Sequence, residues 1–307
     1  MFLQLKNTDI GYKTPLIKGV ETSLKLGEVC LLIGNNGVGK TTLIKSILTQ
    51  IPVLEGEIFL NQKNIKNVSL KEIAEQIAVV FSKAQIPVNY TLVDLISLGK
   101  YIHYPYYFEL NDADKQEVEN IIESLNLSHY RNFTLNKLSD GNLQKAFIGR
   151  ALAQNSPMII LDEPTTHLDE ENKIIILKIL RKLAEEHNKL ILFSSHDWRL
   201  AKEFSDKIWY VKDQKLQSGI AEDILISNQE LSSPHLFDIH ENFVAPQIFA
   251  TDFQKELLYS FLQKNFKKDL SNFKFEFQET FWVISTDNFQ QKAENFAQIA
   301  DLVQNLH

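Results

Sequence analysis

Eight consecutive residues, Gly34-Asn35-Asn36-Gly37-Val38-Gly39-Lys40-Thr41, place glycines, one cation and one hydroxyl in the spacing G-x-x-x-x-G-K-[ST]. Glycines let the backbone curl so that successive N–H groups point inward at phosphate oxygens. A helix starting there adds the positive end of its dipole. Lys40 then reaches the β- and γ-phosphates of a nucleotide, and Thr41 offers its hydroxyl to Mg²⁺. Thr42 opens the helical run Thr42–Thr49 and completes this candidate nucleotide-binding set. At a background glycine frequency of about 7%, an accidental match in this length is on the order of one in a hundred. A Gly-rich turn without phosphate is therefore the weaker reading.

Further along, Met158-Ile159-Ile160-Leu161 is an apolar strand ending in two carboxylates. Asp162 can hold Mg²⁺ through water, and Glu163 can orient or deprotonate an attacking water. A solvated Asp-Glu-Pro turn is the plainer reading of that segment taken alone. Ser139 and Gly141 open a helix ending at Gln154, as a second anion site or a routine helix cap. His196 follows Leu190–Phe193 and two serines, where it can touch a phosphate at the edge of a sheet. Without context it is a loop histidine.

These groups need a scaffold that brings strand ends together. Residues 1–213 alternate short apolar runs with amphipathic stretches, as strands interleaved with helices do. The spacing predicts strands over Glu28–Ile33, Ile77–Phe81, Met158–Leu161, Lys189–Phe193 and Lys207–Val211. It predicts helices over Asp112–Leu127, Gly141–Gln154 and Glu170–His187. Strands without polar alternation suit a sheet covered on both faces.

The chain has 307 residues and 44% hydrophobic content, enough for about two domains. A net charge of −7 supplies no basic field, so nucleic acid is not expected as a partner. The single cysteine, Cys30, leaves no internal disulfide to form and fits the cytosol. No apolar run approaches a membrane span, and the first residues lack the pattern of a signal peptide. Of the 20 phenylalanines, 11 fall within residues 241–307, a composition shift that places a boundary near residue 240. The expected second domain is α-β-β-α. Thr251 and Gln254 form a capping box, Phe273, Phe275 and Phe277 alternate as a strand, and Phe281–Ile284 is its partner. Phe289, Ala293, Phe296, Ala300 and Val303 trace the last helix. Residues 214–248 read as a connector.

Taken together, the motifs resemble the ATP-binding-cassette (ABC) ATPases over roughly residues 1–220. The family signature Leu-Ser-Gly-Gly-Gln appears as Leu138-Ser139-Asp140-Gly141-Asn142, ahead of Asp162-Glu163-Pro164. His167-Leu168-Asp169 matches the family's D-loop, His196 its switch histidine, and Tyr12 its adenine-stacking aromatic. The resemblance implies an α/β P-loop cassette, with a mixed-sheet core and a helical subdomain at about 83–157. It implies ATP and Mg²⁺ as cofactors, Glu163 as general base and His196 as γ-phosphate sensor. It also implies a head-to-tail dimer in which Ser139 and Gly141 reach the partner copy's ATP.

Two motifs depart from the family pattern. Asp140 and Asn142 replace signature residues, and the Asp140 side chain is expected to turn away from phosphate and cap the helix. The glutamine that links Mg²⁺ to the membrane partner falls on Ser82, with Gln85 the nearest amide, and either can take that role.

The segment Thr91–Tyr101 resembles importers of ferric siderophores, haem or cobalamin. By that resemblance the chain is a peripheral ATPase on the cytoplasmic side of the membrane. It docks on separate permeases, served by an external substrate-binding protein. The alternative is a soluble ABC ATPase without a permease, working as a mechanical or regulatory module. The expected division is a cassette at 1–225, a linker at 226–248 and an α+β domain at 249–307. That last domain, accessory or dimerising, shows no metal-ligand spacing.

Overall fold

Val29–Gly34 (β3), Met158–Leu161 (β7) and Leu190–Ser194 (β8) carry almost no polar alternation, and all three are buried nearly end to end. In the computed structural model they run parallel at the centre of a six-stranded sheet. The structure describes residues 1–81, 89–104, 109–195, 202–228, 231, 243–287 and 289–305. The sheet order is β10-β9-β3-β8-β7-β6, where β6 is Ile77–Val80, β9 is Lys207–Lys212 and β10 is Lys215–Ile220. Only β10 is antiparallel to its neighbour. A second, antiparallel sheet, β2-β1-β4-β5, is built from Leu3–Gly11 (β1), Pro15–Leu24 (β2), Glu55–Leu60 (β4) and Lys63–Asn64 (β5). One apolar cluster joins the two sheets through Leu5, Ile10, Leu32, Ile44, Ile58 and Leu192, among others. The fold is the mixed-sheet α/β cassette that the sequence implies.

Helix α1 (Lys40–Ile47) leaves the end of β3, starting two residues earlier than the sequence suggests. Helix α2 (Leu70–Gln76) begins at a capping box formed by Ser69 and Glu72. Three helices form a separate packed group: α3 (Leu92–Ser97), α4 (Asp112–Ser124) and α5 (Asp140–Ala153). Gly149 is the contact that lets α5 approach, since a Cβ there would stand 2.9 Å from Ile96. Lys100 is buried beside this group, 3.2 Å from Asp114 and hydrogen-bonded to Glu117. Helix α6 (Glu170–His187) covers the sheet, and α7 (Ala221–Ser227) follows β10. Both β10 and α7 lie within the stretch read as a connector.

The chain divides into two units, Met1–Ile224 and Leu225–His307. The second holds a sheet of order β11-β12-β13-β14, made of Gln247–Phe249 (β11), Lys274–Gln278 (β12), Phe281–Thr286 (β13) and Phe289–Ala293 (β14). Helices α8 (Asp252–Asn265) and α9 (Phe296–Asn305) accompany it. The α-β-β-α expectation is corrected here in two places. Phe289–Ala293 is a strand, pairing Thr286 with Phe289 and Trp282 with Ala293. Positions four apart share a face in a strand as well as in a helix, so the pattern fits both periods. The missed β11 is a three-residue parallel edge strand, too short to show a period. Phe243, Phe266, Phe273 and Phe275 are buried in this unit's own core with Leu258, Leu262, Trp282 and Ile284. That core accounts for the phenylalanine excess.

Candidate functional site

The loop Gly34–Gly39 must turn sharply between β3 and α1. Gly39 caps α1 at φ +111°, a conformation that L side chains rarely adopt. Gly34 passes so near the end of β9 that a Cβ would lie 2.6 Å from the Val211 carbonyl oxygen. Asn35, Asn36 and Gly37 are exposed, Val38 is half-buried, and Thr42 faces the core. Lys40 is buried, and its Nζ donates to the carbonyls of Gly34 at 2.7 Å and Asn35 at 3.1 Å. The ammonium thus closes the loop on itself, in reach of whatever the loop holds. Burial lowers its pKa below the ordinary lysine value, while Glu163 and Asp162 pull it back up. Both carboxylates therefore act electrostatically on Lys40.

Asp162 stands at the end of β7 and is buried, with its N–H donating to the Val80 carbonyl at 2.8 Å. Thr41 Oγ1 donates to Asp162 Oδ2 at 3.2 Å, and Ser194 Oγ donates to Asp162 Oδ1 at 2.8 Å. The same Ser194 oxygen accepts the Glu163 N–H at 2.9 Å. One buried hydroxyl therefore ties both carboxylate residues to the end of β8. Glu163 holds φ +55°, a left-handed conformation costing about 1 kcal/mol for a residue with a side chain. The bend lets the chain leave the strand, and Thr166 Oγ1 donates to Glu163 Oε2 at 3.3 Å.

Thr41 and Asp162 form a pair of hard oxygen donors at the foot of the loop. That pair suits Mg²⁺, which keeps several waters and takes one or two protein oxygens alongside phosphate. Among the described residues no cluster of three His, Cys, Asp or Glu could hold a metal by itself.

A second cluster gathers elsewhere on the same unit. Ser139 caps α5 by accepting the Asn142 N–H at 3.3 Å. The expectation that Asp140 would cap is thus corrected. Asp140 is the first residue inside the helix, and the residue before it supplies the oxygen, because its extended backbone lets the side chain turn back onto the first turn. Gly141 is buried against Asn172, and Asp169 caps α6 by accepting the Asn172 N–H at 2.8 Å. Tyr12 lies in the turn between β1 and β2 and is 62% exposed. His196, Ser82 and Gln85 lie outside the described residues.

Sequence reasoning overlooked Ser194 as a site residue. Its signal was the strand register: Leu161 pairs with Phe193, so the next residues, Asp162 and Ser194, fall side by side.

The family model described as "ABC transporter" matches residues 17–166. An uncharacterized ABC transporter ATP-binding protein of Methanocaldococcus jannaschii is 34% identical over 215 residues, covering 70% of this chain and 74% of that protein. An iron(3+)-hydroxamate import ATP-binding protein of Bacillus subtilis is 32% identical over 204 residues, covering 66% and 76% respectively. Among solved structures, a dimeric ATP-binding cassette in a post-hydrolysis state, bound to ADP and Pi, aligns with a TM-score of 0.62. It is 26% identical and covers 71% of this chain and 98% of that one.

Proposed function

The chain belongs to the ABC transporter family of ATP-binding ATPases, and from that premise we propose that it drives an importer of an iron complex or cobalamin whose permease is a separate chain. The observation that carries the ATPase site is the knot of Thr41, Asp162, Ser194 and Glu163 beside Lys40. The import role is supported by relatives such as the iron-hydroxamate import protein of B. subtilis.

In this reading the loop N–H groups and Lys40 hold the phosphates of ATP, and Tyr12 stacks on its adenine. Thr41 and Asp162 would hold Mg²⁺, which would offset the negative charge of the phosphates. A third residue toward the metal is Ser82 or Gln85. Glu163 takes the proton of the attacking water, and His196 contacts the γ-phosphate. Two copies enclose two ATPs head to tail, with Ser139, Gly141 and Asp169 of one copy facing the nucleotide of the other. ATP closes the pair, hydrolysis releases it, and permease subunits on the cytoplasmic face of the membrane respond to that change. An external binding protein delivers the cargo.

Glu163→Gln tests the core of the proposal. It keeps the shape but removes the base, so ATP binding persists while turnover falls by a factor of about 100 or more. Turnover at the wild-type rate would refute the assignment. A second reading, a soluble ABC ATPase without a permease, is favoured by the folded unit Leu225–His307, which lies beyond the family match. Cell fractionation separates the two: an importer subunit sediments with membranes until alkali strips it.

A further inference from the structure

Asn172 touches both segments that the proposed nucleotide sandwich presents to a partner copy. Its Nδ2 donates to Asp169 Oδ2 at 3.0 Å, and its backbone N–H donates to Asp169 Oδ1 at 2.8 Å. The same amide lies against Gly141 so closely that a Cβ there would stand 2.6 Å from Oδ1 and 2.8 Å from Cγ. Any side chain at 141 would therefore push Asn172 off Asp169. The start of α5, with Ser139, and the start of α6, with Asp169, meet across one side chain.

The cap of α6 does not need this residue to be asparagine. Every residue except proline supplies the N–H that Asp169 Oδ1 accepts. The amide head adds something else: a donor for the second Asp169 oxygen and a flat surface that fits only against a glycine. With both oxygens engaged, the Asp169 carboxylate is fixed in direction, and it is fixed relative to Gly141.

We propose that Asn172 is a positioning residue that locks Asp169 to Ser139–Gly141, so that one copy offers both segments to the other copy's ATP as a single pre-set surface. This rests on the sandwich reading above. Without the lock, Asp169 and the start of α5 must be ordered separately during closure. Ordering one freed side chain corresponds to about a tenfold loss of affinity.

The test uses the full chain with Glu163→Gln, so that ATP-bound dimers accumulate, and measures dimerisation in Mg-ATP by sedimentation. Asn172→Ala removes the head. Asn172→Asp keeps its shape, removes the donor and sets a second carboxylate beside Asp169. Both variants should weaken ATP-dependent dimerisation about tenfold while ATP affinity of the monomer and melting temperature stay unchanged. In the Glu163 background they should lower kcat at limiting protein and leave the monomer's ATP affinity as it was. Unchanged dimerisation in both variants overturns the proposal. So does a loss of dimerisation matched by an equal loss of thermal stability, because that marks a purely structural role. A Glu163→Gln parent that stays monomeric in Mg-ATP overturns the sandwich itself, and this role with it.

Discussion

At the scale of single residues, the decisive property is how Lys40 keeps its charge. Burial lowers its pKa, and the neighbouring Glu163 and Asp162 only partly restore it. Bound phosphate favours the charged form, so nucleotide affinity should fall as pH rises through this lowered value, before the 10.5 of an ordinary lysine. Titrating Mg-ATP affinity between pH 8 and 10.5 checks this; a flat profile up to 10.5 would contradict it. For nucleotide-free stability the sign is opposite. Between the lowered folded value and the ordinary one the unfolded chain binds more protons, so folding stability from this group rises with pH. Lys40, Thr41, Asp162 and Glu163 were legible in the sequence because their motifs are contiguous and each carries its own chemistry. Ser194 was not. A serine before another serine says nothing until the register of two strands, distant in sequence, sets it beside Asp162.

At the scale of elements, the end of α1 carries an avoidable strain. Gln50 N–H donates to the Lys45 carbonyl at 2.9 Å and Thr49 N–H to that of Ser46 at 3.1 Å, a helix stop that ordinarily has glycine at its left-handed position. Here that position is Thr49, at φ +59°, and its buried hydroxyl has no partner among the described residues. Thr49→Gly should stabilise the protein by about 1 kcal/mol, raising the melting temperature by about 2–4 °C. Calorimetry reads this directly, and an unchanged or lower melting temperature would show that the threonine is not strained. Elements with strong chemistry or strong periods were readable: β7 and α6 have the bounds the sequence suggested. Elements set by pairing were not. Phe289–Ala293 became a strand because β13 offers it an edge to pair with.

At the scale of the whole molecule, two units carry two separate cores: Leu5, Ile44 and Leu192 belong to one, and Phe275, Leu262 and Ile284 to the other. Heating should therefore resolve two transitions by calorimetry, and Mg-ATP should raise only that of Met1–Ile224. A single transition, shifted as a whole, would show the units melting as one. The sheet order has another consequence, which concerns time. The strand β3 that launches the phosphate loop lies between β8 and β9. A ribosome making about 5–20 residues per second delivers the flanking Lys207–Lys212 on the order of 10 s or more after Gly34. The proposed phosphate loop is thus made early and completed late, so a nascent chain stopped before β9 should carry the whole motif and still bind no nucleotide.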